Sequence, residues 1–332
     1  MEHATLGGSD LGVSAVTMGL WNVAGGVTWG ESAREEAVGA IEAAIDAGIT
    51  SFDTAEAYGD GASERMLGTA IEGHDREDLQ VATKAWTDNH RAADLKAACR
   101  ASLDRLGVEY VDLYYLHYPN EEVPFAETFG ALAELREEGL IREVGVSNFG
   151  VEQLREARAA SPVPIVVNQL PYSLLWRAIE FGIREACIEA DVSIAAYSPL
   201  AQGLLTGAYG SPEEVPDGVA RTRHFAGDRP HARHGEDGEE ALTFETIDRI
   251  REICADTPYS MPAVALSWLL DREGVATTIA GSTTPEHVRA NAGATAVDLD
   301  PATVERLDAV TADLKAALGA NPDPWQSDSR YR

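Results

Sequence analysis

From about residue 16 onward the chain repeats one pattern. A short run of β-branched and apolar residues is followed by a polar loop, then by a segment with apolar residues at helical spacing. The apolar runs fall at 16–21, 49–53, 79–84, 111–117, 142–147, 165–169, 193–197 and 277–281. Nearly all are continuous rather than alternating, as expected of strands covered on both faces of a parallel sheet. Helical patterns lie between them at roughly 35–47, 61–72, 91–106, 125–138, 151–159, 177–190, 262–272 and 285–291. Ser32 and Glu35 have capping-box spacing at the head of the first, and Gly48 ends it. Thr284 and Pro285 read as N-cap and first helical residue of the last.

Eight strand-helix units predict an α/β (β/α)8 barrel, with a doubly wound open sheet as the runner-up. The whole of 1–332 reads as one barrel domain, since such barrels reach this length as single domains. Three segments stand outside the repeat. Residues 4–13, with Gly7 and Gly8 in the middle, predict a hairpin that plugs the bottom of the barrel. Residues 207–241, on the strand-7 side, are rich in Gly, Pro, Arg, His and acids, and predict a long lid or binding loop. Extra helices are expected near 242–256 and 301–318, and a polar tail at 319–332 contains Trp325.

Charge changes this picture most. The chain has 55 acidic and 26 basic residues, a net charge of -29, and its only lysines are Lys84, Lys96 and Lys315. Such a surface disfavours nucleic acid and anionic membranes as partners. The acids are spread along periodic helices, so the composition does not signal disorder. Acidic, arginine-rich and lysine-poor together resemble proteins of salt-accumulating halophilic archaea. That resemblance implies a cytoplasmic, halophilic protein, because at molar salt the Debye length shrinks to about 3 Å and self-repulsion is screened. No apolar run reaches the ~18 residues of a membrane span, and residues 1–7 show no secretory signal. Cys99, Cys187 and Cys254 are far apart and lie on helical patterns, which favours buried thiols over a disulfide or zinc site. His231 and His234, among Asp228, Glu236 and Asp237, read as part of a solvated loop, not as a metal site.

In a barrel the C-terminal strand ends share one face, where active sites form. The second, third and fourth runs place Asp53, Lys84 and His117 there, with Tyr58 just beyond Asp53. Taken singly, Asp53 reads as a turn acid, Tyr58 as packing and His117 as a core histidine. Lys84 resists such a reading. A chain that avoids lysine ends an apolar strand on one, where a compact cation with a tunable pKa differs from arginine.

At these residues the chain resembles an aldo-keto reductase over essentially its whole length. The stretches that carry the resemblance are FDTAEAYG (52–59), ATK (82–84), DLYYLHYP (112–119), GVSNF (145–149), NQLPYS (168–173), AYSPLAQGLLTG (196–207) and IAGSTTPEHVRAN (279–291). The resemblance implies a TIM barrel that binds NADPH or NADH and reduces aldehydes or ketones to alcohols. It implies a catalytic tetrad of Asp53, Tyr58, Lys84 and His117. Tyr58 would be the general acid; Lys84 would lower its pKa from about 10, Asp53 would hold Lys84 charged, and His117 would orient the carbonyl oxygen. Ser147, Asn148 and Gln169 match residues that bind the nicotinamide carboxamide, and Tyr197 the aromatic that stacks on its ring. Ser198, Leu200, Gln202 and Gly203 match the pyrophosphate segment; Gly281, Ser282, Thr283, His287 and Asn291 match the adenosine end.

NADP is the cofactor the family favours, but the clamp for its 2'-phosphate is thin. Arg289 is the only permanent cation near 281–291, so dual or NAD use stands as an alternative to NADP selectivity. Trp21, Trp86 and Tyr118 match substrate-pocket positions, or else pack at the rim. An aromatic pocket with few charges suits a small neutral carbonyl compound or sugar. Three alternatives stand beside this reading. One is a sugar or alcohol dehydrogenase running in the oxidative direction. A second is a cofactor-holding regulatory subunit resembling potassium-channel β-subunits. A third, a barrel hydrolase, would require paired carboxylates or metal ligands at the strand ends. Oligomeric state is left open.

Overall fold

A computed structural model of the chain describes residues 1–24 and 34–332. Ser32, half of the expected capping box, lies outside the described residues. Two short strands, β1 (His3–Thr5) and β2 (Gly12–Ser14), form an antiparallel hairpin. Eight parallel strands follow: β3 (Val16–Gly19), β4 (Ser51–Asp53), β5 (Gln80–Ala85), β6 (Val111–Leu116), β7 (Ile141–Ser147), β8 (Ile165–Pro171), β9 (Ser193–Tyr197) and β10 (Val275–Ala280). They close into a barrel in chain order, with β10 pairing both β9 and β3.

Each continuous apolar run is buried on both sides. One side faces the helices: α1 (Arg34–Asp46), α2 (Ala62–Ile71), α3 (Ala92–Leu106), α4 (Phe125–Glu137), α5 (Val151–Ala160), α6 (Ile183–Glu189), α7 (Glu240–Ala255), α8 (Met261–Leu270), α9 (Pro285–Gly293), α10 (Pro301–Val310) and α11 (Ala312–Leu318). The other side fills the barrel. Ala82, Leu113, Tyr115, Val167, Ala195 and Ile279 meet there, and Leu6, Leu11 and Val13 of the hairpin pack into the same cluster. The hairpin thus closes the floor, as its position predicts. It is pinned by the Gly7 amide donating to Ser193 Oγ (2.9 Å) and the Gly8 amide to Asp191 Oδ2 (3.1 Å).

The expected elements shift at their ends. The first strand stops at Gly19, so Trp21 stands clear of the sheet, and His117 is the first residue past β6. The pattern at 177–190 is not one helix. A 3-10 turn, Ala178–Phe181, ends at Gly182, whose φ of 132° is closed to other residues, and α6 starts anew. The helix expected over 301–318 breaks at Thr311. Thr284 precedes α9 in extended conformation but makes no side-chain cap. Ser282 Oγ accepts the Thr284 amide instead, at 3.0 Å.

Residues 207–241 form little regular structure among themselves beyond a 3-10 turn at Pro212–Glu214. Their conformation is held by the tail. The Arg223 amide donates to Pro324 O (2.9 Å), and its guanidinium to Leu318 O (3.0 Å) and Asn321 O (3.1 Å). The solvated loop expected around the two histidines is half right: His231 is exposed, but His234 is buried beneath the loop. The three cysteines are buried and free, with burial pushing the Cys99 and Cys187 thiols up to about 12 and Cys254 to about 11.

Candidate active site

Neighbouring strands bring Asp53 and Lys84 to one end of the barrel interior. Asp53 ends β4 beside Ala82 of β5, and Lys84, two residues on, projects to the same side. Lys84 is fully buried and Asp53 nearly so, with Lys84 Nζ 2.5 Å from Asp53 Oδ1. The ammonium also donates to Thr54 O (2.8 Å) and, at a longer 3.3 Å, to Tyr58 Oη. Asp53 Oδ2 accepts from Gln169 Nε2 at 2.7 Å, which ties the cluster to β8. Beneath it, buried Glu64 accepts from Thr83 Oγ1 (2.6 Å) and pairs with Arg105. Glu64 has no counterpart in the sequence expectations, since nothing in the local pattern marks a helix acid as buried.

The electrostatics differ from those expected. Tyr58 is held well above its usual range, first by burial and then by the charge of Asp53. Lys84 was expected to lower it, but the ammonium spends its shortest contacts on Asp53 and Thr54. Burial depresses Lys84 itself, with Asp53 pulling the other way. His117 is driven well below its usual range by burial and by the nearby charge of Lys84. The cluster therefore presents a phenol that keeps its proton and a neutral imidazole with one N–H to donate.

Tyr58 and His117 open onto a cavity of about 670 Å³ at the strand ends. Aromatic rings wall it. His117 lies against Trp86 (ring centroids 5.1 Å) and stacks on Tyr118 (5.6 Å), and Trp21 leans on Tyr58 (6.4 Å). Ser147, Gln169 and Tyr197 line it along one side, Ser198, Leu200, Gln202 and Gly203 farther on, then Gly281 and His287. Ser282, Thr283 and Asn291 do not line it; they sit where α9 begins or within it. Lys84 is also absent from the lining, because it lies behind Tyr58.

Asn148 borders the cavity, yet its amide is fully engaged by protein. Nδ2 donates to His117 O (2.9 Å) and Ser147 Oγ (3.0 Å), while Oδ1 accepts from Tyr331 Oη (2.5 Å) and Tyr197 Oη (3.0 Å). Its φ of 66° is one that asparagine tolerates. Sequence reasoning missed this position for Tyr331. The tail 319–332 crosses the top of the barrel: Trp325, Gln326 and Arg330 line the cavity, Arg330 pairs with buried Asp323, and its guanidinium covers the Tyr118 ring at 4.0 Å. The tail is seated on α5, where Arg332 O accepts from the Glu152 amide at 2.9 Å. Gly150 makes this possible, since a Cβ there would lie 2.1 Å from Arg332 O.

The cavity also departs from the low-charge pocket expected. Arg221 and Arg233, from the 207–241 loop, line it together with His231.

The groove suits a nicotinamide dinucleotide. Asn22 Oδ1 and Gln202 Oε1 belong to residues that line it, and both are buried without a partner, as acceptors for ribose hydroxyls or an amide would be. Ser198, Ala201 and Gln202 hold positive φ of 52°, 46° and 55°, strain of the kind that collects where backbone must be shaped to a ligand. Among the described residues no group of three or more His, Cys, Asp or Glu is placed to hold a metal.

At the strand ends of a closed parallel barrel, a buried Lys–Asp pair thus lies behind a tyrosine that faces a cavity shaped for a dinucleotide. The aldo/keto reductase family profile matches residues 15–312. The NADH-specific methylglyoxal reductase of Escherichia coli is 31% identical over 324 residues, covering 91% of this chain and 96% of that protein. The aldo-keto reductase of Klebsiella pneumoniae, solved with NADPH, is 28% identical with a TM-score of 0.73, covering 94% of this chain and 96% of that one. The glycerol dehydrogenase of Gluconobacter oxydans is 27% identical with a TM-score of 0.80, covering 94% and 95%. The chain belongs to the aldo/keto reductase family, and it is an oxidoreductase that uses a nicotinamide cofactor.

Proposed function

We propose that the protein reduces small aldehydes or ketones to alcohols at Tyr58, with Asp53, Lys84 and His117 completing the catalytic set. The observation that carries this is the buried hydrogen-bonded chain from Asp53 through Lys84 to Tyr58, ending in a cavity beside His117. A bound NADPH or NADH supplies the hydride. As charge develops on the carbonyl oxygen, the Tyr58 phenol gives up its proton and the neutral His117 donates a hydrogen bond. The role of Lys84 shifts from the one the sequence suggests. Rather than making Tyr58 acidic at rest, its contact strengthens as Tyr58 becomes a phenolate, since a charged pair bonds more strongly than a charge with a neutral group. Asp53 keeps the ammonium charged and fixed, and Gln169 keeps Asp53 in place.

Ser147, Gln169, Tyr197, the 198–203 segment and 281–291 form the cofactor groove in this reading. Asn148 acts by positioning Tyr197 and the His117 loop. Trp21, Trp86 and Tyr118 wall the substrate end. With Arg289 exposed and unpaired among the described residues, the adenosine end is read as accepting NADH as well as NADPH. The likeness to a glycerol dehydrogenase supports a second direction, oxidation of an alcohol or sugar by the same atoms in reverse. The acidic surface supports work in the cytoplasm of a salt-accumulating cell.

The test is oxidation of NADPH and NADH by a panel of small carbonyl compounds in molar KCl. Turnover with both cofactors supports the reading. A hundredfold preference for NADPH contradicts the relaxed cofactor use, and absence of turnover with either contradicts the reductase.

A further inference from the structure

The loop that the family resemblance covers least well brings cations to the cavity. Other arginines of this loop and of the tail are neutralised. Arg223 pairs with Glu236 (2.7 Å), Arg229 with Glu240 (2.7 Å) and Arg330 with Asp323 (2.6 Å). Arg221 and Arg233 are different. Both line the cavity, and among the described residues neither makes an ion pair or a side-chain hydrogen bond. Arg221 Nε is buried with no partner. This occurs in a chain with 55 acidic residues, where a carboxylate neighbour would be the ordinary outcome.

Rings hold Arg221 in place. Its guanidinium carbon lies 5.4 Å from the Trp21 ring centroid and 4.9 Å from that of Trp325, and those two rings meet edge to face. Cation–π contact stabilises the charge but leaves the N–H donors unsatisfied. Trp21 in turn leans on Tyr58, so the cation stands on the same wall as the proton donor, one ring beyond it. Burial and then the neighbouring charge of Arg233 disfavour the charged form of Arg221, a cost that an anion between them would offset.

We propose that Arg221 and Arg233 form a subsite for an anionic group, carboxylate or phosphate, carried by the carbonyl substrate at the end away from its reacting carbon. A fixed guanidinium fork matches either anion. The substrate class becomes oxo-acids or phosphorylated aldehydes rather than neutral compounds. This rests on the reductase reading above.

Matched pairs of substrates test it at fixed salt: succinate semialdehyde against butanal, and glyceraldehyde 3-phosphate against glyceraldehyde. The wild type is expected to favour at least one anionic member by tenfold or more in kcat/KM, on the order of one charge-assisted contact. In Arg221→Gln and Arg233→Gln that ratio is expected to fall at least tenfold, chiefly through KM of the carbonyl substrate. Whichever pair carries the preference identifies the anion. No preference in the wild type, equal loss on both members of each pair, or a rise in KM for NAD(P)H instead would overturn the subsite, the last by assigning the arginines to the cofactor. A binding arm does not depend on turnover. Succinate and inorganic phosphate are titrated into cofactor-saturated protein while tryptophan fluorescence is followed, since Trp21 and Trp325 flank Arg221. Saturable change in the wild type, weakened at least tenfold in Arg221→Gln, supports the subsite even if no carbonyl in the panel is reduced; no change with either anion counts against it.

Discussion

Replacing Asp53 by Asn removes a charge from a pair that water barely reaches. Lys84 is 0% and Asp53 4% exposed in their side chains, and the two are 2.5 Å apart. Breaking such a pair while leaving one charge buried costs about 3–5 kcal/mol. At 1.36 kcal/mol per decade that is about two to four powers of ten in the folding equilibrium. The sign of the pH dependence follows from Lys84. Its folded pKa is already lowered by burial and held up partly by Asp53. Without Asp53 it falls further below its unfolded value of about 10.4, so the unfolded state binds more protons across that window. The stability of Asp53→Asn is therefore predicted to recover as pH rises from neutral toward 10. The double variant Asp53→Asn/Lys84→Met, which removes both charges, is predicted to regain most of the loss while remaining inactive. Urea unfolding in molar KCl, followed by tryptophan fluorescence, reads all three proteins. A loss under about 1 kcal/mol in the single variant, or a double variant no more stable than Asp53→Asn, would refute the buried pair.

Further outcomes follow from other parts of the structure. His90 and His224 are buried neutral, each lowered to about 4 from an unfolded value near 6.5, so protonation favours unfolding as pH falls from 6.5 to 4. Each is worth about 3 kcal/mol over that window at 1.36 kcal/mol per pH unit. His224 has both ring nitrogens engaged, by Thr222 Oγ1 and Leu175 O, so His224→Gln should lower stability at pH 7 but flatten its fall with acid by about one proton; an unchanged slope contradicts this. Gly150→Ala should push Arg332 off the start of α5 and release Tyr331 from Asn148, read as faster trypsin cleavage after Arg330. Cleavage at the wild-type rate would show that the tail is held elsewhere. The net charge of -29 predicts a urea midpoint that rises steeply from dilute buffer to molar KCl, and a flat dependence contradicts the halophilic reading.

Much of this site was legible because a parallel barrel converts strand ends into neighbours. Once 49–53, 79–84 and 111–117 are read as strands, Asp53, Lys84 and His117 must share a face, whatever the loops do. The sign of the Tyr58 shift was not legible. The sequence shows a lysine near a tyrosine, but burial depends on how Trp21 and His117 close around it, and those contacts span the fold. The 207–241 loop was opaque for a related reason. Its course is set by Arg223 reaching the tail roughly a hundred residues later, so no local pattern announces that Arg221 and Arg233 face the cavity. Tyr331 was hidden too, because a polar tail carries no periodicity that would place its ring on Asn148. At 177–190 helical spacing was real, but Gly182 turns the chain between a 3-10 turn and a shorter helix.

The central claim is that Tyr58 delivers the proton. Tyr58→Phe removes one hydroxyl and leaves the ring against Trp21 and His117. Carbonyl-dependent oxidation of NADPH and NADH in molar KCl, measured beside cofactor binding by fluorescence, separates chemistry from assembly. The account predicts kcat lower by about two to four powers of ten, the usual span for a general acid, with cofactor affinity within threefold of wild type. A variant that retains more than a tenth of the wild-type kcat would contradict it.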